Sequence, residues 1–184
     1  VAGSSPVMGY SVDYYNDETN MKDITIYSNY GFDDEDVEAI RQVDGIRIAE
    51  GAYFADVLGS YENTTYVTRI HSYNEENVIN RIVLRSGRMP ENRNEALAEN
   101  GTKLEQGFPL GSTVTFSYPE GTENDSLLID EVTIVGTIDT PLYLNQTKEN
   151  STLSNQYIRT YLYVPEDAFD QSFYLEVNAL VEGA

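Results

Sequence analysis

Apolar residues recur at every second position through most of this chain, and at helical spacing in only one stretch. Alternation of this kind puts one face of each segment against a core and the other in water, so the chain must build sheets. "DITIYSN" (Asp23 to Asn29) reads as a first strand. "GIRIAEGAYFADVL" and "TTYVTRIHSY" follow, parted by the polar "GSYEN". "NRIVLRSGRM" reads as a strand ending at Gly87, "NEALAEN" as a short strand after a turn, and "GSTVTFSYP" as a strand with Val114 and Phe116 on one face. "LIDEVTIVGTI" has Gly136 placed for a bulge. "YIRTYLYVP" and "FYLEVNALVEG" complete the set, with one helical turn at "PEDAFD" between them, opened by Pro165.

The exception is "GFDDEDVEAIRQVDG", where Val37, Ile40 and Val43 share a helical face and Gly45 stops the run. The acidic run Asp33 to Asp36 lacks the alternating acids and distant Glu of a calcium loop. Asp33 is placed to cap the helix, with carboxylates in a first turn that the helix dipole favours. One helix among many strands predicts an α+β fold with mainly antiparallel pairing.

Charge narrows the partners. Eleven Lys and Arg stand against thirty-one Asp and Glu, a formal charge of −20 in 184 residues. Phosphate backbones and anionic membrane surfaces would be repelled, so nucleic acid is not an expected partner. No stretch approaches about eighteen uninterrupted apolar residues, and no charged start with an apolar core opens the chain. The start "VAGSSPVM", without Met, reads as a piece of something longer. Cys is absent, which excludes thiolate chemistry and disulfides and fits exported and cytosolic proteins alike. Five Asn-x-Ser/Thr sequons, at Asn63, Asn100, Asn124, Asn145 and Asn150, fall in polar stretches that read as loops. The longest is "NQTKENSTLSNQ", Asn145 to Gln156.

Against that acidity, "LRSGRMPENRNEAL" (Leu84 to Leu97) gathers Arg85, Arg88 and Arg93, with Arg81 just before it. An anion-binding loop is one reading. The other is a tight connection between strands: Gly87 permits a positive φ, Pro90 fixes the next bend, and Asn92 and Asn94 form turns. Arg81 and Arg85 fall on one strand face, Ile82 and Leu84 on the other, and Glu91, Glu95 and Glu99 lie near enough in sequence to balance the arginines. The structural reading is the expectation.

Catalytic inventory is thin. His71 is the only His, in a strand, so a His triad or a His-rich metal site is ruled out. No phosphate loop or dinucleotide fingerprint occurs. A hydrolase using paired carboxylates remains open by inventory alone. Fifteen Tyr without a Trp suit a sugar-binding surface module, and they also suit strands, where Tyr packs well. No catalytic residue, cofactor or metal ligand is assigned.

"LRSGRMPENRNEALA", followed by "LGSTVTF" and "VTIVGTIDTPLYL", resembles the extracytoplasmic domain of MacB/FtsX-type ABC transporter permeases. The matching places are Gly87, Arg88, Met89, Pro90, Glu95, Leu110, Gly111, Val135 and Gly136; of these Gly87, Arg88, Pro90, Glu95, Gly111 and Gly136 form the expected structural motif. "YYNDETNMKDITIYSNYGFDDEDVEAIRQVDGI" resembles the segment after the first transmembrane helix of the large Gram-positive members, and "TYLYVPEDAFDQSFYLEVNALVEGA" resembles their domain end.

The resemblance implies a βαββαβ-like (ferredoxin-like) lobe from residues 21–73 and 165–184, an inserted mostly-β lobe at 74–164, and an N-terminal arm at 1–20. It implies membrane tethering by helices before Val1 and after Ala184, and a place on the outer side of a bacterial, Gram-positive cytoplasmic membrane. The implied role is non-catalytic: coupling motion driven by a separate ATPase subunit to an external cargo, protein or lipoprotein partner. Both chain ends should then leave from one lobe. The alternative is a secreted or surface-anchored carbohydrate- or wall-binding module.

Overall fold

The structure, a computed structural model, describes residues 20–99, 107–122, 126–139, 150–153 and 157–183. Among them are ten strands and one α-helix: β1 (Ile24–Phe32), α1 (Asp34–Arg41), β2 (Ile46–Ala52), β3 (Phe54–Tyr61), β4 (Thr64–Tyr73), β5 (Val83–Gly87), β6 (Glu95–Glu99), β7 (Thr113–Ser117), β8 (Glu131–Asp139), β9 (Thr160–Pro165) and β10 (Tyr174–Val181), with a 3-10 turn at Glu166–Ala168. None of the helices is long and apolar enough to cross a membrane.

A three-stranded antiparallel sheet in the order β1-β10-β2 carries α1 on one face. The helix starts where its sequence demands. The Asp36 N–H donates to Asp33 Oδ1 at 2.9 Å, and the Asp33 N–H donates to Asp36 Oδ2 at 3.1 Å, a reciprocal capping box. Those two carboxylates are thereby committed to the helix end. Val37 packs on Ala49, Val177 and Ala179, with Ile26, Ile40 and Ile46 around them. The opposite face of the sheet presents Thr25, Glu50, Glu176 and Asn178 together with Tyr27, Ile48 and Leu180.

The second sheet runs β5-β8-β6-β9-β4-β3-β7, and β7 pairs again with β8. Six of its strands therefore close into a barrel, and β5 branches off β8. Pairing is mainly antiparallel, but β4–β9 and β6–β8 are parallel. A barrel this narrow leaves room for small side chains: Ala55, Ala96 and Ala98 alternate inward with Val57, Ile70, Val114, Ile134 and Leu162. A second cluster lies outside the wall, where Leu97, Ile138, Tyr161 and Tyr163 are covered by Ile82 and Met89. β3 and β4 turn on Glu62 and Asn63, with Glu62 at φ 51°. That puts the Asn63 sequon at a hairpin tip; Asn100, Asn124 and Asn145 lie outside the described residues.

Sheet membership cuts the chain elsewhere than residues 73 and 165. β3 and β4 hydrogen-bond into the barrel, so β1, α1, β2 and β10 make up the smaller unit. Tyr53 alone separates β2 from β3, so no loop marks the crossing. The α+β class holds, and the ferredoxin-like order is matched in part among the described residues. β1-α1-β2 is present, but among the described residues the second helix is replaced by the 3-10 turn, too short to cover a sheet. Tyr53 instead stitches the units together, stacking on Phe169 at 5.7 Å and tilting against Tyr174 at 5.1 Å.

Candidate functional site: the arginine turn and the adjoining cleft

β5 ends at Gly87, whose φ of +78° only glycine adopts without strain. The next N–H, of Arg88, donates to the Val135 carbonyl at 3.0 Å. Gly111, at φ +84°, donates its N–H to the neighbouring Ile134 carbonyl at 2.8 Å. Gly136 stands opposite Gly87. Gly87, Arg88 and Gly111 thus converge on a single short run of β8, Ile134 to Gly136, which holds a fourth motif residue.

Pro90 bends the chain away, and Glu95 opens β6. The Arg88 guanidinium donates to both Glu95 oxygens, at 2.5 and 2.7 Å, and to the Met89 carbonyl at 3.0 Å. The Glu91 N–H adds a bond to Glu95 Oε2 at 2.8 Å. Those donors hold the Glu95 carboxyl down at about 2, Arg88 first and the Glu91 amide second. The fork-to-fork pair commits two of Arg88's donors to Glu95.

The expected balance of charges holds for Glu95, and more loosely for Glu91, whose carboxylate lies 3.7 Å from Arg88. It does not hold for Glu99. Arg85 pairs with Asp139, a partner 54 residues on that only the β5–β8 pairing brings near. Glu99 lies by the same Asp139, and burial, then that like charge, push its carboxyl up to about 7. Arg81 falls before β5 rather than on it, at the mouth of a cleft.

That cleft, of about 320 Å³, lies between the face of the small sheet opposite α1 and the barrel. The loop after β4 closes one side. Glu50 holds the loop by accepting from the Val78 and Ile79 N–H groups at 2.8 and 3.0 Å. On the sheet, Thr25 Oγ1 donates to Asn178 Oδ1 and Asn178 Nδ2 donates to Glu176 Oε1, each at 3.0 Å. His71 and Tyr163 form the barrel side, their rings stacked at 5.4 Å. Burial, followed by the charges of Arg69 and Lys22, drives His71 down to about 3, so it stays neutral.

Sequence reasoning missed one buried ion pair. Asp56, on β3, receives Arg69 Nε at 2.7 Å and Nη2 at 3.0 Å from β4. It also accepts from the Thr152 N–H at 2.7 Å and from the Ser151 and Thr152 hydroxyls at 3.1 Å. Burial alone would raise its carboxyl, but Arg69 and Thr152 together bring it below the usual value. Asp56 and Arg69 are thirteen residues apart, and only the Asp56↔Arg69 register reveals the pair.

No family model matches the chain, and no curated protein matches it. Two of the solved structures similar to it are transporter domains. One is the extracellular domain of the noncanonic ABC-type transporter YknZ from Gram-positive bacteria, at 15% identity over 87% of this chain and 83% of that one, with a TM-score of 0.48. The other is the periplasmic region of MacB from Actinobacillus actinomycetemcomitans, at 11% identity over 86% of this chain and 67% of that one, with a TM-score of 0.46.

Proposed function

We propose that this chain is the extracytoplasmic, non-catalytic domain of an ABC transporter permease, relaying motion driven by a cognate ATPase to an external cargo or partner. The observation that carries this reading is the pairing of the first described strand with the last. The Asp23 N–H donates to the Ala179 carbonyl at 3.0 Å, and the Val181 N–H donates to Asp23 Oδ2 at 2.8 Å. The start of β1 and the finish of β10 lie at the same end of the small sheet, the arrangement that suits a domain inserted between membrane helices. The turn built by Gly87, Arg88, Pro90, Glu95, Gly111 and Gly136 serves in this reading as a rigid joint of the barrel, not as a ligand site.

The test uses the intact protein in cells. Asn63→Cys, at the hairpin tip between β3 and β4, should react with a membrane-impermeant maleimide on whole cells. The protein should co-purify with an ATPase subunit from mild detergent. Labelling only after lysis overturns the outer location. Release of the protein into the medium, free of any ATPase, overturns the transporter role and favours the wall-binding module. That second reading has one structural support: Tyr30, 94% exposed, and Phe173 lie at the end of the small sheet far from Asp23.

A further inference from the structure

We infer that the cleft between the small sheet and the barrel binds an organic cation of side-chain size: a primary ammonium on a short apolar stem, as a lysine side chain provides. Glu176 is the reason. It is 4% exposed, on the central strand of its sheet, and its side chain lines the cleft. Oε1 accepts from Asn178 Nδ2, while among the described residues no donor reaches Oε2. A buried carboxylate oxygen without a donor is costly, and a folded chain keeps one where something else completes it.

The rest of the lining selects the completing group. Glu50 and Glu75 add negative charge; Arg81, exposed in the lining, and Lys22, near enough to act on His71, oppose it, and neither forms an ion pair with Glu176. An anion would be repelled from such a lining. A hard metal ion is no better served, because among the described residues no three acid, His or Cys groups converge. Glu50 already holds two backbone N–H groups. What remains is one open, buried acceptor, Glu176 Oε2, in a mixed pocket that Glu75 also lines. Met89 and Ile82, which cover Tyr163, supply an apolar wall for a stem. The volume is at the small end for ligand sites, enough for a side chain and too little for a large drug-like molecule.

Binding here is independent of the transporter reading, since a secreted module would hold the same pocket. The experiment is a titration of the 184-residue chain, observed through the backbone amides of Gly51, Ser72 and Asn178, with n-butylammonium, n-butyrate and n-butanol as separate probes. Saturable shifts with n-butylammonium alone are expected. Glu176→Gln should weaken them by about tenfold, the loss of one charged hydrogen bond. Met89→Trp, which fills the cleft from its rim, should abolish them while amides elsewhere keep their positions; it decides the matter if Glu176→Gln fails to fold. Equal response to the alcohol or the carboxylate, no saturable response at all, or full binding by a folded Glu176→Gln would each overturn the inference.

Discussion

Gly87 and Gly136 face each other across β5 and β8 so closely that neither has room for a methyl group. A Cβ on Gly87 would lie 2.2 Å from the Val135 carbonyl oxygen; one on Gly136 would lie 2.5 Å from the Arg88 carbonyl oxygen. Both obstacles are backbone, so neither can swing aside. Gly87→Val should cost about 1–2 kcal/mol for its left-handed φ, with the collision added to that. Gly136→Ala should also destabilise. The double substitution should cost less than the sum, since each change already forces the same strands apart. Urea midpoints of the three variants test this; additive costs would mean the two positions relax separately.

Arg88 and Glu95 make the chain's stability depend on acid. The folded carboxyl titrates at about 2 against an ordinary 4.5, so its stabilisation is complete above 4.5 and lost as pH falls toward 2. Glu95→Gln should flatten that part of the stability curve. Arg88→Ala should return the Glu95 titration, followed by NMR, toward its ordinary value, while Arg93→Ala leaves the melting temperature unchanged. A Glu95 titration that ignores the loss of Arg88 would refute the assignment.

Asp56→Ala should be among the most damaging single changes. It leaves the Arg69 guanidinium in a site that is 7% exposed, without its principal partner, and breaking such pairs costs about 3–5 kcal/mol. Replacing both, as Asp56→Leu with Arg69→Met, should recover most of the loss, because the charge is then gone. A double variant no better than Asp56→Ala would show that the bonds to Ser151 and Thr152 matter more than the ion pair.

How far such features could be read from sequence depends on the range of the interaction. The capping box at Asp33 and Asp36 and the turn at Gly87 and Pro90 are local, so residue type and spacing reveal them. Strand positions are nearly as legible, because alternation is local too. The Arg85–Asp139 pair, the Asp56–Arg69 pair and the parallel β4–β9 and β6–β8 pairings join distant segments. Only strand order brings those together, and alternation says which face is buried without saying beside which strand. The cleft escaped for the same reason: Glu176, Tyr163 and Met89 belong to three separate segments. The expected loop Asn145 to Gln156 falls mostly outside the described residues.

His71 should never carry charge in the folded state near neutrality. Its folded value of about 3 lies below the ordinary 6.5, so the unfolded chain takes up a proton first as pH falls, and stability declines between those two values. His71→Gln should remove that decline if the side chain still packs beside Tyr163. Proton NMR of the single imidazole checks it directly: a midpoint near 6.5 in the folded protein would contradict the burial.

The antiparallel β1–β10 pairing also fixes how the molecule bears tension. Asp23 and Val181 sit at the same end of two adjacent strands, so pulling the chain outward through them in opposite directions loads the interstrand bonds singly, from that end inward. Such a zipper yields at low force, whereas strands dragged lengthwise past each other must lose many bonds together. The small sheet should therefore peel open first, with the closed barrel intact behind it. In a single-molecule stretching record this appears as a weak early extension followed by a stronger break, and a single high-force rupture would contradict it.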